Sequence, residues 1–252
     1  MGVLDLLILV GIGLLGGVWN AIAGGATLFT FPALMAAGLP PVVANATNFL
    51  ALLPSNAAAL PAYMKELRDV GRALVPLGIV SGLGAILGSI LLIFSDPNVF
   101  ESLIPVLILT ATLLFAFGDT VRTKLLALAG GTRAGTVVYA GLFVASIYGG
   151  YFGAGLGIIL LAVAQIMGYS DFHVANAIKN LLATSFSILS IVVFGVGGLI
   201  AWPQAFAMMA GSTVGGYLGG SLAKYVNPRL LRGAVILFGL VLSGVYAWRV
   251  YL

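Results

Sequence analysis

The sequence predicts an all-α integral membrane protein made of two homologous halves in inverted orientation. About 6–8 transmembrane helices are expected, with glycine-broken or re-entrant segments among them. Three observations predict this. The chain is 61% hydrophobic and 7% charged over 252 residues, where a soluble domain carries about 25% charged residues. Its apolar runs hold over helical lengths, whereas barrel strands would alternate in short segments. One phrase also occurs twice, as Val43-Ala44-Asn45-Ala46-Thr47-Asn48 and as Val174-Ala175-Asn176-Ala177-Ile178-Lys179-Asn180.

The first apolar run, Val3 to about Ala23, is long enough to span a bilayer. Gly24-Gly25 breaks it, and a half-length segment from Ala26 to Ala37 follows with Pro32 inside. Gly38-Leu39-Pro40-Pro41 makes a turn. The next helix carries the first Asn phrase, is interrupted near Pro54-Ser55-Asn56, and ends at the charged stretch Lys65-Glu66-Leu67-Arg68-Asp69. Two spans come next, roughly Ala73–Phe94 and Val99–Phe117, separated by Ser95-Asp96-Pro97-Asn98. After a polar linker from Asp119 to Arg133 the pattern replays. Gly153, Gly155 and Gly157 break a helix that begins near Ala134, and Gly168-Tyr169-Ser170-Asp171 turns the chain. The second Asn phrase then opens an apolar stretch reaching about Ile200, and spans follow at roughly Pro203–Ala223 and Leu230–Tyr251.

The register argues for duplication. At an offset of 131, Val43 to Ala46 matches Val174 to Ala177, and Ser81, Gly84, Leu87 and Gly88 match Ser212, Gly215, Leu218 and Gly219. Asp96-Pro97 falls on Asn227-Pro228, and Gly25 and Gly38 match Gly155 and Gly168 at 130. The division is residues 1–121 as the first repeat, 122–133 as linker and 134–252 as the second repeat, in one membrane domain. Basic residues cluster at Lys65/Arg68/Arg72, Arg122/Lys124/Arg133 and Lys224/Arg229/Arg232. Four full spans per half would make the repeats parallel and put the third cluster outside. If instead each half-helix and its Asn helix form a re-entrant hairpin, the repeats are inverted. Nine of eleven basic residues then face the cytoplasm, as the positive-inside rule favours. The inverted arrangement is preferred, although Asp171 to Ile200 is long enough to span outright.

Every acid falls at a segment edge or loop: Asp5, Glu66, Asp69, Asp96, Glu101, Asp119 and Asp171. No carboxylate pair is therefore offered mid-membrane for acid–base work or a hard cation. The lone His173, with no companion ligand, suits a helix cap better than a metal. With no cysteine, disulfides and thiol chemistry are excluded. No metal, no cofactor and no catalytic residue is expected, and the net charge of +4 comes from loops and speaks to topology rather than to nucleic acid. No cleavable signal is evident, since the first apolar run lacks a basic leader.

What remains suits an anion. Asn45 and Asn48 share one helical face, as do Asn176, Lys179 and Asn180. An ionisable residue inside a membrane is a functional hypothesis by default. Half-helix N-termini at Gly24-Gly25 and at Gly153 and Gly155 would add amide donors and a positive dipole end. The candidate binding set is Asn45, Asn48, Asn176, Lys179, Asn180, Gly24, Gly25, Gly153, Gly155 and Tyr151. Plainer readings stand beside it. Asn45 and Asn176 also suit packing between helices, Lys179 could snorkel to the headgroups, and an interfacial belt accounts for some of Tyr148, Tyr151 and Tyr169.

Several of these stretches carry a resemblance: Ala23-Gly24-Gly25, Pro32-Ala33-Leu34, Gly38-Leu39-Pro40-Pro41, Ala44-Asn45-Ala46-Thr47-Asn48, the second-half glycine run and Val174-Ala175-Asn176-Ala177. In order and spacing they resemble the TauE/SafE family of sulfite and organosulfonate exporters, over nearly the whole chain. The chain departs from that pattern with Ala26-Thr27 in place of a longer glycine run, and with Asn48 in place of a serine-containing phrase. The resemblance implies a multi-pass transporter of the prokaryotic cell membrane moving sulfite, sulfonates or similar anions. The expected mode is alternating access, in the direction of export. The implied partners are a small anionic substrate and the lipid bilayer, with a homo-oligomer left open. A channel-like anion pore, an intramembrane lipid-phosphate enzyme and a structural subunit are the rivals; the enzyme lacks clustered Arg, His or acid at a helix break.

Overall fold

The structure is a computed structural model that describes residues 2–22, 25–58, 60–118, 120, 123–124, 127, 134–169, 171–222 and 228–251. Its elements are all helical: α1 (Val3–Ile22), α2 (Thr27–Ala36), α3 (Pro41–Ala57), α4 (Met64–Val70), α5 (Leu74–Ile93), α6 (Pro97–Ala116), α7 (Ala134–Tyr151), α8 (Leu156–Ile166), α9 (Phe172–Val196), α10 (Trp202–Leu222) and α11 (Pro228–Tyr251). Short 3₁₀ turns at Leu60–Tyr63 and Gly71–Ala73 flank α4.

The boundaries follow local chemistry. Asp96 caps α6 by accepting from the Asn98 amide at 2.8 Å, and Asp171 caps α9 by accepting from the His173 and Val174 amides at 2.8 and 3.0 Å. Such caps satisfy donors that the first turn leaves unpaired. The two half-length helices end alike. Gly38 at φ +90° and Gly168 at φ +98° carry the chain through the left-handed region that glycine enters freely. In each case the following amide reaches five residues back, Leu39 to Leu34 and Tyr169 to Ala164, both at 3.2 Å, which is the Schellman closure. Two expectations are corrected in position. Pro54 lies inside its helix, and the expected interruption falls just past Asn56, with α3 running on to Ala57. Gly157 lies inside α8, so the second break is confined to Gly153 and Gly155. Most of the polar linker lies outside the described residues.

Among the described residues four helical stretches are long and apolar enough to cross a bilayer: Val3–Asn20, Met64–Ile93, Pro97–Leu114 and His173–Val196. Shorter apolar helices accompany them at Thr27–Ala36, Val138–Tyr151, Leu156–Ile166 and Ile236–Tyr251. The exterior is apolar, with Leu7, Leu83, Phe94, Val106, Val241 and Trp248 exposed, while Ser81, Ser89, Thr112, Ser146, Ser212 and Ser243 are buried. This distribution suits lipid outside and interhelical hydrogen bonds inside. Ser146 donates to Ser81 at 3.2 Å, Ser243 to the Pro105 carbonyl at 2.9 Å, and Ser212 to the Ala51 carbonyl.

Helix α1 runs parallel to α10 at backbone contact: Gly13 and Gly17 lie on Met208 and Ser212, and Gly211 and Gly215 lie on Val10 and Leu14. Helices α5 and α7 are parallel in the same way, with Gly84 on Phe143, Gly88 on Ile147 and Gly150 on Ala85. By contrast α6 and α11 are antiparallel, since Pro105 meets Ser243 and Ser102 meets Tyr251. Exchanging α1 with α7, α2 with α8, α3 with α9, α5 with α10 and α6 with α11 turns one packed pair into another. The α1–α10 pair becomes α7–α5, α3–α10 becomes α9–α5, and α2–α3 becomes α8–α9, while α3–α9 and α6–α11 map onto themselves.

Candidate functional site

A cavity of about 90 Å³ sits between α3 and α9 and the breaks that precede α2 and α8. At roughly 15 Å³ per water by this measure it holds several water molecules, which suits a solute of a few heavy atoms. Helix α3 contributes Asn48, Leu52 and Asn56, spaced four apart along one face, and α9 contributes Lys179, Ala183 and Ser187 in the same spacing. Each of these pairs differs by 131 in number. The breaks and the first turns that follow them supply Gly25 and Thr27 on one side, Gly155 and Gly157 on the other, pairs that differ by 130. Equivalent positions of the two phrases thus face one space.

Lys179 is partly buried two turns into α9, and its stem passes beside Gly157, where an added Cβ would lie 3.8 Å from the Lys179 Cδ, in ordinary contact. It forms no ion pair with the described residues, and no acid lines the cavity. The Lys179 side chain contributes to the cavity wall. Gly153 at φ +79° and Gly155 at φ +77° end α7 and let α8 begin with its N-terminus on the cavity. There the Leu156 and Ile158 amides fold back on Gly153 and Gly155 at 3.5 and 3.2 Å. The intervening Gly157 amide has no backbone partner among the described residues. Tyr148 braces this break by donating to the Ala154 carbonyl at 2.9 Å.

The structure brings Gly25, Asn48, Gly153, Gly155 and Lys179 onto the cavity wall. Asn48 also donates to the Thr27 hydroxyl at 3.3 Å. Asn45, Asn176, Asn180 and Tyr151 are not among the lining residues. Asn45 is fully buried and donates at 2.9 Å to the Tyr151 carbonyl, one of the terminal carbonyls that α7 leaves unpaired. Asn176 donates to the Tyr63 hydroxyl at 2.9 Å, and Asn180 is buried, its carbonyl accepting from Thr184 at 2.8 Å. Tyr151 uses its hydroxyl to accept from Ser95 at 3.2 Å. Gly24 lies outside the described residues.

Sequence reasoning missed Asn20, Thr27, Asn56 and Ser187. Asn56 and Ser187 were within reach, as the same helical face continued two turns beyond Asn48 and Lys179. Asn20 gave no such signal; it comes from α1 and donates to Ser55 at 2.7 Å and Asn56 at 3.0 Å. The aromatic wall was also missed. Phe49 packs on Phe186 and Phe194 with centroids 6.0 and 5.4 Å apart, and Phe152 on Phe31 at 5.4 Å. The cavity thus offers neutral donors and one cation, against a ring-lined backing. Among the described residues no group of three His, Cys, Asp or Glu could hold a metal.

A helical bundle with an apolar exterior and four apolar stretches long enough to cross a bilayer among the described residues, enclosing a small cavity between two interrupted helices, defines an integral membrane protein. The chain belongs to the sulfite exporter TauE/SafE family, whose profile matches residues 9–246. A probable membrane transporter protein of Haemophilus influenzae is 32% identical over 95% of this chain and 94% of its own. The probable membrane transporter protein YfcA of Escherichia coli is 28% identical over 92% and 86%, and ORF9 of a Sinorhizobium species, also a probable membrane transporter protein, is 24% identical over 91% and 87%. No solved structure matches the chain.

Proposed function

We propose that the protein is a secondary transporter of the cell membrane that exports small sulfur-containing anions, such as sulfite or sulfonates, by alternating access. One observation carries this reading: Lys179, unpaired by any described acid, faces a few-water cavity walled by Asn48 and by the glycine breaks before α2 and α8. Oxyanions are held well by charge-assisted and amide hydrogen bonds. In this reading Asn45 and Asn176 hold the cavity-lining helices in place, Asn180 and Tyr151 back the wall, and Gly25, Gly153 and Gly155 admit the anion to the backbone.

The helix directions favour inverted repeats. α10 lies parallel to α1, while α11, antiparallel to α6, follows α10 after a short connection. α5 joins α6 through a turn at Phe94–Asp96 and lies parallel to α7. Taken as spans, α1, α6 and α10 then cross one way, and α5, α7 and α11 the other. The two halves run oppositely, with α2–α3 and α8–α9 as returning hairpins. Lys65, Arg68 and Arg72 precede α5 on the side where α6 and α10 end and where α7 and α11 begin, which the positive-inside rule makes cytoplasmic. Such pseudo-symmetric halves can rock about a central site. Expelling a singly charged anion down a negative-inside potential gains about 2.3 kcal/mol per 100 mV, enough for uniport.

The test is flux of labelled sulfite in proteoliposomes. Lys179→Ala is expected to lower it more than about tenfold, the value of one charged hydrogen bond. Unchanged flux in a folded variant refutes the assignment.

A further inference from the structure

Building on the proposed transport role, we infer that the cavity counts charge: it accepts a monovalent anion and rejects a divalent one of the same shape, and position 48 sets that limit. Among the described residues Lys179 is the one basic residue that lines the cavity, and the other polar lining side chains, Asn20, Thr27, Asn48, Asn56 and Ser187, are neutral. The formal charge of the wall is therefore +1. The equivalent place on α3, 131 residues earlier, holds Asn48, which is 2% exposed and neutral. A monoanion brings the site to zero. A dianion leaves one uncompensated negative charge beside Phe49, Phe152 and Phe186, a loss on the order of a hundredfold by the cost of an unpaired charge in a membrane interior.

Methanesulfonate and sulfate test this directly, being tetrahedral about sulfur and differing by a methyl group in place of one charged oxygen. The reconstituted full chain is assayed for flux of each at neutral pH, with circular dichroism and detergent size-exclusion to verify folding. Wild type is expected to prefer methanesulfonate on the order of a hundredfold. Asn48→Lys places a second cation opposite Lys179 and is expected to move the ratio toward sulfate by at least about tenfold, whereas Asn48→Gln leaves it unshifted. This arm separates the wall's charge from the stronger hydration of sulfate. The exchange Asn48→Lys with Lys179→Asn keeps the wall at +1 and is expected to keep the monoanion preference. Comparable wild-type fluxes of the two anions, or a folded Asn48→Lys protein with an unshifted ratio, overturns the inference while leaving anion transport standing. If Asn48→Lys does not fold, Asn56→Lys, which adds a cation to the same wall, takes its place, and an unshifted ratio in that folded protein overturns the inference. Transport of neither anion by wild type, nor of sulfite, overturns the transport reading and this inference with it.

Discussion

Replacing Gly215 by alanine puts the parallel α1–α10 contact to a direct test. A Cβ at Gly215 would enter the Leu14 carbonyl oxygen and come within 2.8 Å of its carbon and 2.9 Å of the Val18 amide nitrogen. All three are backbone atoms of a helix, so no side chain can swing aside. The two helices must part by about 1 Å, and a gap of that size forfeits up to half of each van der Waals well. For on the order of forty atom pairs at ~0.15 kcal/mol each, the loss is about 2–3 kcal/mol, within the range for overpacked cores. Gly244, in α11, is the control, since a Cβ there meets nothing within 4 Å. Its change to alanine should be neutral or stabilising by up to about 1 kcal/mol, the helix preference of alanine. Thermal unfolding of the purified proteins in one detergent is the assay. The Gly215→Ala midpoint should fall by about 5 °C or more. A Gly215→Ala protein as stable as Gly244→Ala would refute the close packing of α1 on α10.

Two further substitutions probe the frame around the cavity. Asn45→Leu removes the donor to the Tyr151 carbonyl and should cost about 1 kcal/mol in thermal unfolding, as interhelical hydrogen bonds in membrane proteins do; an unaltered midpoint would show that bond to be idle. Gly155→Ala forces a Cβ onto a residue at φ +77°, with Ala111 Cα 3.4 Å away. It should cost about 1–2 kcal/mol in stability and weaken sulfite uptake by displacing the α8 N-terminus, which concentration-dependent flux would register as a raised half-saturation point.

The helices themselves were legible because bilayer residence writes long apolar runs, and glycine and proline punctuate them in order. The Asn phrases were conspicuous for the same reason: amides and a lysine stand out in a chain with 7% charge. Their spacing placed Asn48 and Lys179 on candidate faces, and the cavity lies between those faces. What spacing could not tell was how each face is turned. Asn45, one turn before Asn48, spends its donor on a helix end, and Asn176, nearly a turn before Lys179, reaches Tyr63 across 113 positions of sequence. Long-range pairings of that kind depend on how helices dock and leave no local periodic trace. Asn20 escaped notice for a similar reason, since a single amide near the end of an apolar run reads as an interfacial residue until α3 is placed beside it.

One feature of the cavity bears on how such a chain can arise. Positions 48 and 179 correspond, yet one is an amide and the other an ammonium. Two identical half-length subunits, associating about a twofold axis, would be forced to present the same side chain at both, and so an even number of cations. An odd number requires the two copies to be encoded separately, whether in two chains or in one, and then to mutate independently. On the repeat reading, divergence between the halves is thus a condition for the valence this site is proposed to select, and one chain carrying both halves meets it while fixing their pairing.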